Sequence, residues 1–284
     1  MPRMPAPTRR IDAHQHFWKL SRGDYGWLTP DLCLIHRDFM PKDLEPLIQN
    51  AGISGTILVQ AAPTEAETQF MLSLALDYTF IEGVVGWTDF QAAVAPARIQ
   101  SLAADPKLKG LRPMIQDLPD DDWMLRPDLD AAFRALTERG LVFDALVLPQ
   151  HLSHLSVLLA RHPDMRTIID HCAKPAIAAG DLAGWTSDMR RLAADTDAFC
   201  KLSGLVTEAG AGWSVETLRA CVDLVLDCFG PNRLIWGSDW PACLLAADYT
   251  SWLEATDLLL RGCTSDERDA ILGGNAIRAY GLAN

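Results

Sequence analysis

Residues 11–18 read IDAHQHFW, and they decide the fold prediction because they join a β-strand pattern to two histidines. We predict a strand over Arg10 to Ala13. Successive side chains of a strand point to opposite faces, so the spacing of His14 and His16 directs both imidazoles the same way. Two such rings can bind a metal ion or polarise a substrate oxygen together. The plainer alternative is a pair of hydrogen-bonded histidines without a function.

Further apolar runs follow along the chain, separated by helical patterns. They are rich in Val, Ile and Leu without clean alternation, which is typical of parallel strands buried on both faces. We therefore predict an α/β fold, a (β/α)8 or TIM barrel, as one domain over residues 1–284, with residues 1–9 flexible. The predicted strands after the first are Thr56 to Gln60, Gly83 to Trp87, Gly110 to Ile115, Val142 to Leu148, Arg166 to Ile169, Phe199 to Leu202 and Arg233 to Trp236.

Two sequence pairs between the strands predict helix starts. Thr64 with Glu67, and Thr264 with Glu267, have the spacing at which an N-cap hydroxyl and a carboxylate satisfy each other's free amides.

Composition limits the function classes. The chain has 284 residues, about half of them hydrophobic, and a formal net charge of −12, which argues against a nucleic-acid partner. It has no apolar stretch near the ~20 residues of a membrane span and no secretory signal, so we expect a cytoplasmic protein without a membrane partner. The seven cysteines are odd in number and include no Cys-x-x-Cys pair, so we expect free thiols. Oligomeric state stays open.

The connection from Phe17 to Met40 is too long for a simple loop between strand and helix, and it is rich in aromatic residues. Two interpretations are equally good. It covers the barrel mouth, or it is a packed surface segment whose aromatic side chains only bury area.

Three more polar groups follow predicted strands: His151 after the fifth, His171 after the sixth and Asp239 after the eighth. A single histidine or aspartate at a strand end is usually a cap or turn residue. In a barrel, however, these strand ends meet around one axis with His14 and His16. Four histidines and an aspartate at one end of a barrel predict an active site.

With these motifs the chain resembles the lactonase branch of the amidohydrolase superfamily. That branch includes enzymes of the L-fucono-lactonase and L-rhamnono-lactonase type and, more distantly, 2-pyrone-4,6-dicarboxylate lactonase. The resemblance covers nearly the whole chain. The residues that carry it are 11–18 (IDAHQHFW), 25–28 (YGWL), 110–112 (GLR), 169–171 (IDH), 236–241 (WGSDWP) and 273–276 (GGNA).

The resemblance implies a distorted, amidohydrolase-type barrel centred on His14, His16, His171 and Asp239, which would also be the metal ligands. Members with two metals carry a bridging lysine or glutamate on the fourth strand. Residues 110–116 contain no carboxylate, and the nearby Lys109 precedes the predicted strand, so two metals are not expected. One zinc or other divalent ion, or no required metal, both remain open.

The reaction class that fits is hydrolysis of a sugar-acid lactone. Ester cleavage needs a polarised carbonyl, an activated water and a proton for the leaving alkoxide. His14, His16 and His171 would polarise the carbonyl, and Asp239 would act as the general base. His151 would hold the substrate or complete the charge stabilisation.

Arg112 is the expected substrate contact on the fourth strand, because its guanidinium offers several fixed donors. Trp27, Trp87 and Trp240 are expected to pack on a sugar ring. A structural ion pair and ordinary core packing explain the same residues. The acidic composition favours a neutral sugar lactone over a dicarboxylate.

Two other functions remain. One is metal-dependent decarboxylation of an aromatic or unsaturated acid, which also occurs on amidohydrolase barrels. The other is a barrel kept for binding or assembly without catalysis.

Overall fold

The structure is a computed structural model that describes residues 9–283. Its strands are parallel neighbours in chain order within one sheet of eight strands, which confirms the predicted barrel. The predicted flexible segment 1–9 lies outside the described residues except for Arg9, which donates to Glu82. The strands are β1 (Ile11–Gln15), β2 (Gly55–Val59), β3 (Ile81–Gly86), β4 (Leu108–Leu111), β5 (Val142–Ala145), β6 (Thr167–Ile169), β7 (Phe199–Leu202) and β8 (Leu234–Trp236).

Backbone hydrogen bonds between β1 and the segment after β8 close the barrel. The amide of Asp239 donates to the carbonyl of His14, and the amide of His16 donates to the carbonyl of Trp240, both at 2.7 Å. The closure therefore runs through residues of the two sequence motifs and fixes their positions relative to each other.

Helices surround the sheet and follow the strands, as the pattern predicts. Among residues 9–283, no helix has both the length and the apolar character that crossing a bilayer requires. The helices are α1 (Pro41–Asn50), α2 (Glu65–Asp77), α3 (Ala95–Leu102), α4 (Asp130–Glu138), α5 (Leu152–Arg161), α6 (Ala183–Asp195), α7 (Leu205–Ala209), α8 (Val215–Phe229), α9 (Tyr249–Leu259), α10 (Ser265–Asp269) and α11 (Asn275–Tyr280).

Both predicted helix starts are present, but only one is reciprocal. Thr264 accepts from the amide of Glu267, whose carboxylate accepts from the Thr264 amide. Thr64 likewise accepts from the Glu67 amide. The Glu67 carboxylate instead accepts from the amides after β2, at Ala61 and Ala62, because those buried donors have no strand partner.

Two predicted strands are shorter by two residues or more than the apolar runs that indicated them. β4 ends at Leu111 because Pro113 has no amide to donate to the sheet. β5 ends at Ala145, and the following apolar residues stay buried outside the ladder. All seven cysteines are free thiols, as expected.

The core has an outer and an inner part. Most buried side chains pack between the strands and the helices. A smaller cluster, with Ile57, Val85 and Val142 among its members, fills the barrel interior, and Tyr280 of α11 packs against it. The interior therefore supports the strand ends from below.

Candidate active site

A register shift in β1 directs the first-strand histidines. Asp12 pairs with Thr56 and Gln15 pairs with Leu58, so three steps along β1 match two along β2. Asp12 consequently contacts Tyr249 of the outer helix α9 through a 3.1 Å hydrogen bond, whereas His14 lies at the barrel interior beside Lys201. Strict alternation would have placed Asp12 and His14 on one face.

Four sequence-predicted residues meet at the carboxyl ends of the strands. Nε2 of His14 lies 3.2 Å from Nε2 of His16. Oδ1 of Asp239 lies 3.3 Å from Nε2 of His16, 3.7 Å from Nε2 of His14 and 4.0 Å from Nε2 of His171. All four residues are buried. One carboxylate oxygen and three imidazole nitrogens therefore share a small volume.

Hydrogen bonds behind the rings indicate which nitrogens carry protons. Nδ1 of His16 lies 2.8 Å from the carbonyl oxygen of Val59, which can only accept, so Nδ1 carries the hydrogen. Its Nε2 then presents a lone pair toward Asp239. Nδ1 of His171 contacts the hydroxyl of Ser203 at 2.9 Å. This arrangement, with the outer nitrogen bonded and the inner one free, is the usual one in metal-binding histidines.

The donor set fits a divalent cation. Ligand atoms around a tetrahedral zinc lie about 3.3 Å apart. The measured separations of 3.2 and 3.3 Å match that value, and those of 3.7 and 4.0 Å are close to it. A positive charge between a carboxylate and nitrogen lone pairs also stabilises this arrangement. His14, His16 and Asp239 would hold the ion, with His171 beside it.

The pKa values of His14 and His171 favour neutral imidazoles beside an ionised Asp239. Burial lowers the pKa of His171 to about 4, and burial together with Lys201 lowers the pKa of His14. Burial alone would raise the pKa of Asp239, but the surrounding histidines outweigh it and hold that pKa below its usual range. At neutral pH the site therefore combines a base with lone-pair donors.

Left-handed backbone conformations position two of these residues. The segment His171–Lys174 has positive φ at every residue, between 50° and 57°, and Asp239 has φ 57°. Such angles disfavour residues with a side chain and cluster at functional sites. The turn is accommodated because Gly204 leaves space beside it: a Cβ there would lie 2.6 Å from Nδ1 of His171.

The same reasoning explains the glycine of the WGSDWP motif. A Cβ at Gly237 would lie 2.6 Å from the Cβ of His14, so only glycine lets the β8 segment approach β1 this closely. The adjacent amide of Ser238 donates to Asp12 at 2.8 Å. These contacts place Asp239 opposite the histidines.

A buried charge cluster, which the sequence analysis missed, lies beneath the histidines. Nζ of Lys201 lies 2.9 Å from Oδ1 of Asp170 and 3.2 Å from Nδ1 of His14, and it donates to Asp144. Tyr280 also donates to Asp144. The signal was a charged residue inside each of two apolar strand runs, at Asp144 and Lys201.

Arg112 combines the two roles that its sequence position allowed. Its guanidinium donates to Gln60 and pairs with Asp170 at 3.2 Å. The same Nη1 atom lies 3.3 Å from Nε2 of His14, and Arg112 is part of the cavity wall above the histidines. It is fixed by a structural ion pair and still faces the site.

A cavity of about 290 Å³ opens above this cluster and is the space available to a substrate. His16, His171 and Asp239 form its floor. Polar side chains on its wall that the sequence analysis did not select are Gln116, Asp117, Lys174, Thr207 and Glu208. Glu208 follows β7 on α7, and burial raises its pKa, a shift that Lys174 opposes. The rule that barrel sites use strand-end residues could have indicated it.

The long connection between Phe17 and Met40 contributes one aromatic residue to the cavity wall and buries others. Trp27 lies on the cavity wall and donates to the carbonyl of Ala61 at 2.7 Å. Trp18 is buried in the same connection, in edge contact with Phe39 at a ring separation of 5.5 Å.

Three sequence-predicted residues lie elsewhere. His151 is buried between the amide of Leu148 and the carboxylate of Asp121, 3.1 Å from each, and is not on the cavity wall. The chain after β5 enters α5 directly after His151, which directs the ring away from the barrel axis. Trp240 packs against Phe39 at a ring separation of 5.1 Å, below the connection.

Trp87 lies beside the site, in the wall of a second cavity. Of the predicted substrate contacts, the structure thus brings Trp27 and Arg112 to the cavity above His16, His171 and Asp239.

Comparison with known proteins adds relatives of nearly equal length. The chain is 46% identical over 277 residues to an L-fucono-1,5-lactonase of Burkholderia ambifaria, covering 96% of each chain. It is 40% identical to an L-fucono-1,5-lactonase of Burkholderia multivorans, again over 96% of each chain. A crystal structure of an amidohydrolase from Burkholderia multivorans with bound zinc is 37% identical, covers 97% of this chain and 100% of that one, and superposes with a TM-score of 0.91.

The family profile described as Amidohydrolase matches residues 11–282, from the first strand to beyond the last helix. The strand order, the paired histidines at the end of β1 and the aspartate after β8 all fall within that match. The chain therefore belongs to the amidohydrolase family.

Proposed function

We propose that this protein is a hydrolase that opens a sugar-acid lactone of the L-fucono-lactone type. The observation that carries the proposal is the convergence of Asp239 with three imidazoles, two of which, those of His16 and His171, form with it the floor of a cavity suited to one small ring. The two Burkholderia relatives named L-fucono-1,5-lactonase support the substrate class.

The first step is attack of water on the ring ester. Asp239 is ionised at neutral pH and takes a proton from the water, whose oxygen then bonds to the lactone carbonyl carbon. Negative charge develops on the carbonyl oxygen. Arg112, held by Asp170 at 3.2 Å, is a fixed cation on the same wall and stabilises that charge.

The second step is departure of the ring oxygen. The bond between the carbonyl carbon and the ring oxygen breaks, and protonated Asp239 returns its proton to that oxygen. The product is an open hydroxy acid, and the carboxylate is ready for another cycle. The backbone amide of Asp239 donates to the carbonyl of His14 at 2.7 Å and keeps the residue in position throughout. The rings of His16 and His171 around it are fixed by Val59 and Ser203.

His14, His16 and Asp239 would hold a divalent ion, with His171 adjacent. When bound, such an ion supplies Lewis acidity and lowers the pKa of a coordinated water.

The cavity wall fits a hydroxylated ring better than an anionic one. Its carboxylates, Asp117 and Glu208, would accept hydrogen bonds from ring hydroxyls, and Trp27 offers an apolar face. Lys174, 3.9 Å from Glu208, supplies a donor nearby. This composition supports a neutral aldonolactone as the substrate.

The test is a pH-indicator assay over a panel of aldonolactones that includes L-fucono-1,5-lactone. Each lactone is measured with added zinc, with a chelator and without enzyme, because lactones also open spontaneously. Acid release above the uncatalysed rate, with the open hydroxy acid identified by mass, supports the proposal. Carbon dioxide release from an unsaturated acid, with no lactone opened, would replace it with the decarboxylase alternative.

A further inference from the structure

A second and larger cavity opens beside the catalytic one. Its volume is about 630 Å³, against about 290 Å³ for the cavity above the histidines. The two cavities share three wall residues, Trp27, Met114 and Asp117, so they are neighbours across one partition. A single lactone ring at Asp239 would leave the larger space empty.

The walls of this second cavity are aromatic and acidic. Trp27, Trp87, Phe90 and Trp123 contribute rings, and flat apolar faces of this kind suit the C–H faces of sugar rings. Carboxylates stand between them, at Asp24, Asp89 and Asp117.

No lysine, arginine or histidine is among the described residues that line this cavity. An anionic group would therefore meet carboxylates without a compensating cation. Asp24 is already paired with Arg22 at 2.7 Å, which reduces the attraction for a positively charged ligand. The lining thus favours a neutral ring whose hydroxyls donate to carboxylate oxygens.

Contacts behind the wall hold one of the rings in place. Trp123 belongs to a short segment whose acidic residues contact α5 and its N-terminal turn: Asp121 lies 3.1 Å from His151, and Asp122 lies 2.9 Å from His154. Arg161 donates to the carbonyl of Leu125 at 2.9 Å. His151 thus positions the wall of the second cavity.

We infer that the second cavity is a binding subsite for another neutral sugar ring, so that the enzyme opens aldonolactones carrying a glycosyl substituent. This inference rests on the proposed function and extends its substrate class. The lactone ring occupies the space above Asp239, and the substituent passes the partition at Trp27 and packs among Trp87, Phe90 and Trp123.

The experiment compares kcat/KM for matched substrates. Lactones are prepared from neutral disaccharides in which the reducing-end sugar has been oxidised, with the glycosyl group at different hydroxyls. Each is paired with the lactone of the reducing-end sugar alone. We expect the wild-type enzyme to open at least one glycosylated lactone with a kcat/KM equal to or above that of its parent.

Trp87→Ala should then lower the ratio of kcat/KM for the glycosylated lactone to kcat/KM for its parent about tenfold, the effect of about 1.4 kcal/mol of lost packing. Trp87→Phe, which keeps a flat ring, should recover most of that ratio. Phe80→Ala is the matched control: Phe80 is also half-buried but precedes β3, at the other end of the barrel, and its loss should leave the ratio unchanged.

Three outcomes would overturn the inference. They are an unchanged ratio in Trp87→Ala, a wild-type enzyme that opens parent lactones but no glycosylated one, and a preference for an amino-substituted lactone over the neutral one. If no lactone of either kind is opened, the proposed function itself fails.

Discussion

Nζ of Lys201 lies 3.2 Å from Nδ1 of His14, so a buried cation from β7 lies directly behind a histidine of the candidate active site. The same nitrogen lies 2.9 Å from Asp170 and donates to Asp144, and all three side chains are fully buried. The barrel interior therefore places charge beneath the site as well as apolar support.

Lys201→Met should destabilise the protein. The substitution keeps the length of the side chain but leaves Asp144 buried without its cation and Asp170 with Arg112 alone, a change that typically costs about 3 kcal/mol in the free energy of unfolding. Urea unfolding measures this loss. The double variant Lys201→Met with Asp144→Asn should recover part of it, because one uncompensated carboxylate is removed. A double variant less stable than Lys201→Met would contradict the assigned pairing.

Asp239→Asn should reduce kcat for lactone opening by a factor of about 100 to 10,000, the usual contribution of a general base. The amide cannot take the proton from water, but it has nearly the same size, so KM should change little. Steady-state kinetics with an aldonolactone that the wild-type enzyme hydrolyses measure the effect. Asp266→Asn, on the exposed surface of α10, serves as the control. Near-normal kcat in Asp239→Asn would remove this residue from the mechanism.

Zinc added to chelator-treated protein should bind at one ion per chain, because the ligand atoms of His14, His16 and Asp239 already have suitable separations. His16→Ala should lower the affinity by about tenfold or more, since a ligand is lost. Metal analysis after dialysis gives the stoichiometry without reference to activity. His154→Ala, which removes a partly exposed histidine near Asp122, should bind zinc as the wild type does. Equal binding by the two variants would place the ion elsewhere.

Glu67 should make stability depend on pH. Burial raises the pKa of Glu67 to about 7, against the ordinary value of 4.5, although the amides of Ala61 and Ala62 oppose the shift. The folded state thus binds the proton more tightly than the unfolded state. This tighter proton binding stabilises the folded state fully below pH 4.5. The stabilisation, about 3 kcal/mol in the free energy of unfolding, is lost as the pH rises through 7.

The glutamine in Glu67→Gln cannot ionise. The free energy of unfolding of this variant should therefore fall less than that of the wild type between pH 4.5 and 7. Urea midpoints at several pH values measure the difference, with exposed Glu138→Gln as the reference. The same slope in both variants would show that Glu67 does not titrate in this range.

The sequence predicted the barrel well because each strand carries its own apolar signal and parallel strands meet at one end. It also placed His14, His16, His171 and Asp239 together, since each follows or ends a strand. It could not predict that His151 faces Asp121, because the start of α5 decides the direction of that ring.

Residues that depend on distant partners escaped sequence reasoning. Lys201 is understood only through Asp144 of β5 and Asp170, which directly follows β6. The register shift in β1, which separates Asp12 from His14, likewise follows from the pairing with β2 and not from any residue type. Long-range pairing is the information that a single sequence lacks.

The left-handed segment His171–Lys174 has a consequence for laboratory evolution. Its residues occupy backbone angles that cost about 1 kcal/mol each for a residue with a side chain. Substitutions that relieve this strain would therefore stabilise the folded protein. A selection for heat resistance alone would accumulate glycine at Cys172 or Ala173, or substitutions that let the turn relax. Each such substitution would also make the orientation of the His171 ring toward Asp239 less fixed. Thermostable descendants obtained at these positions would be slower enzymes, and stability is better sought on the outer helices.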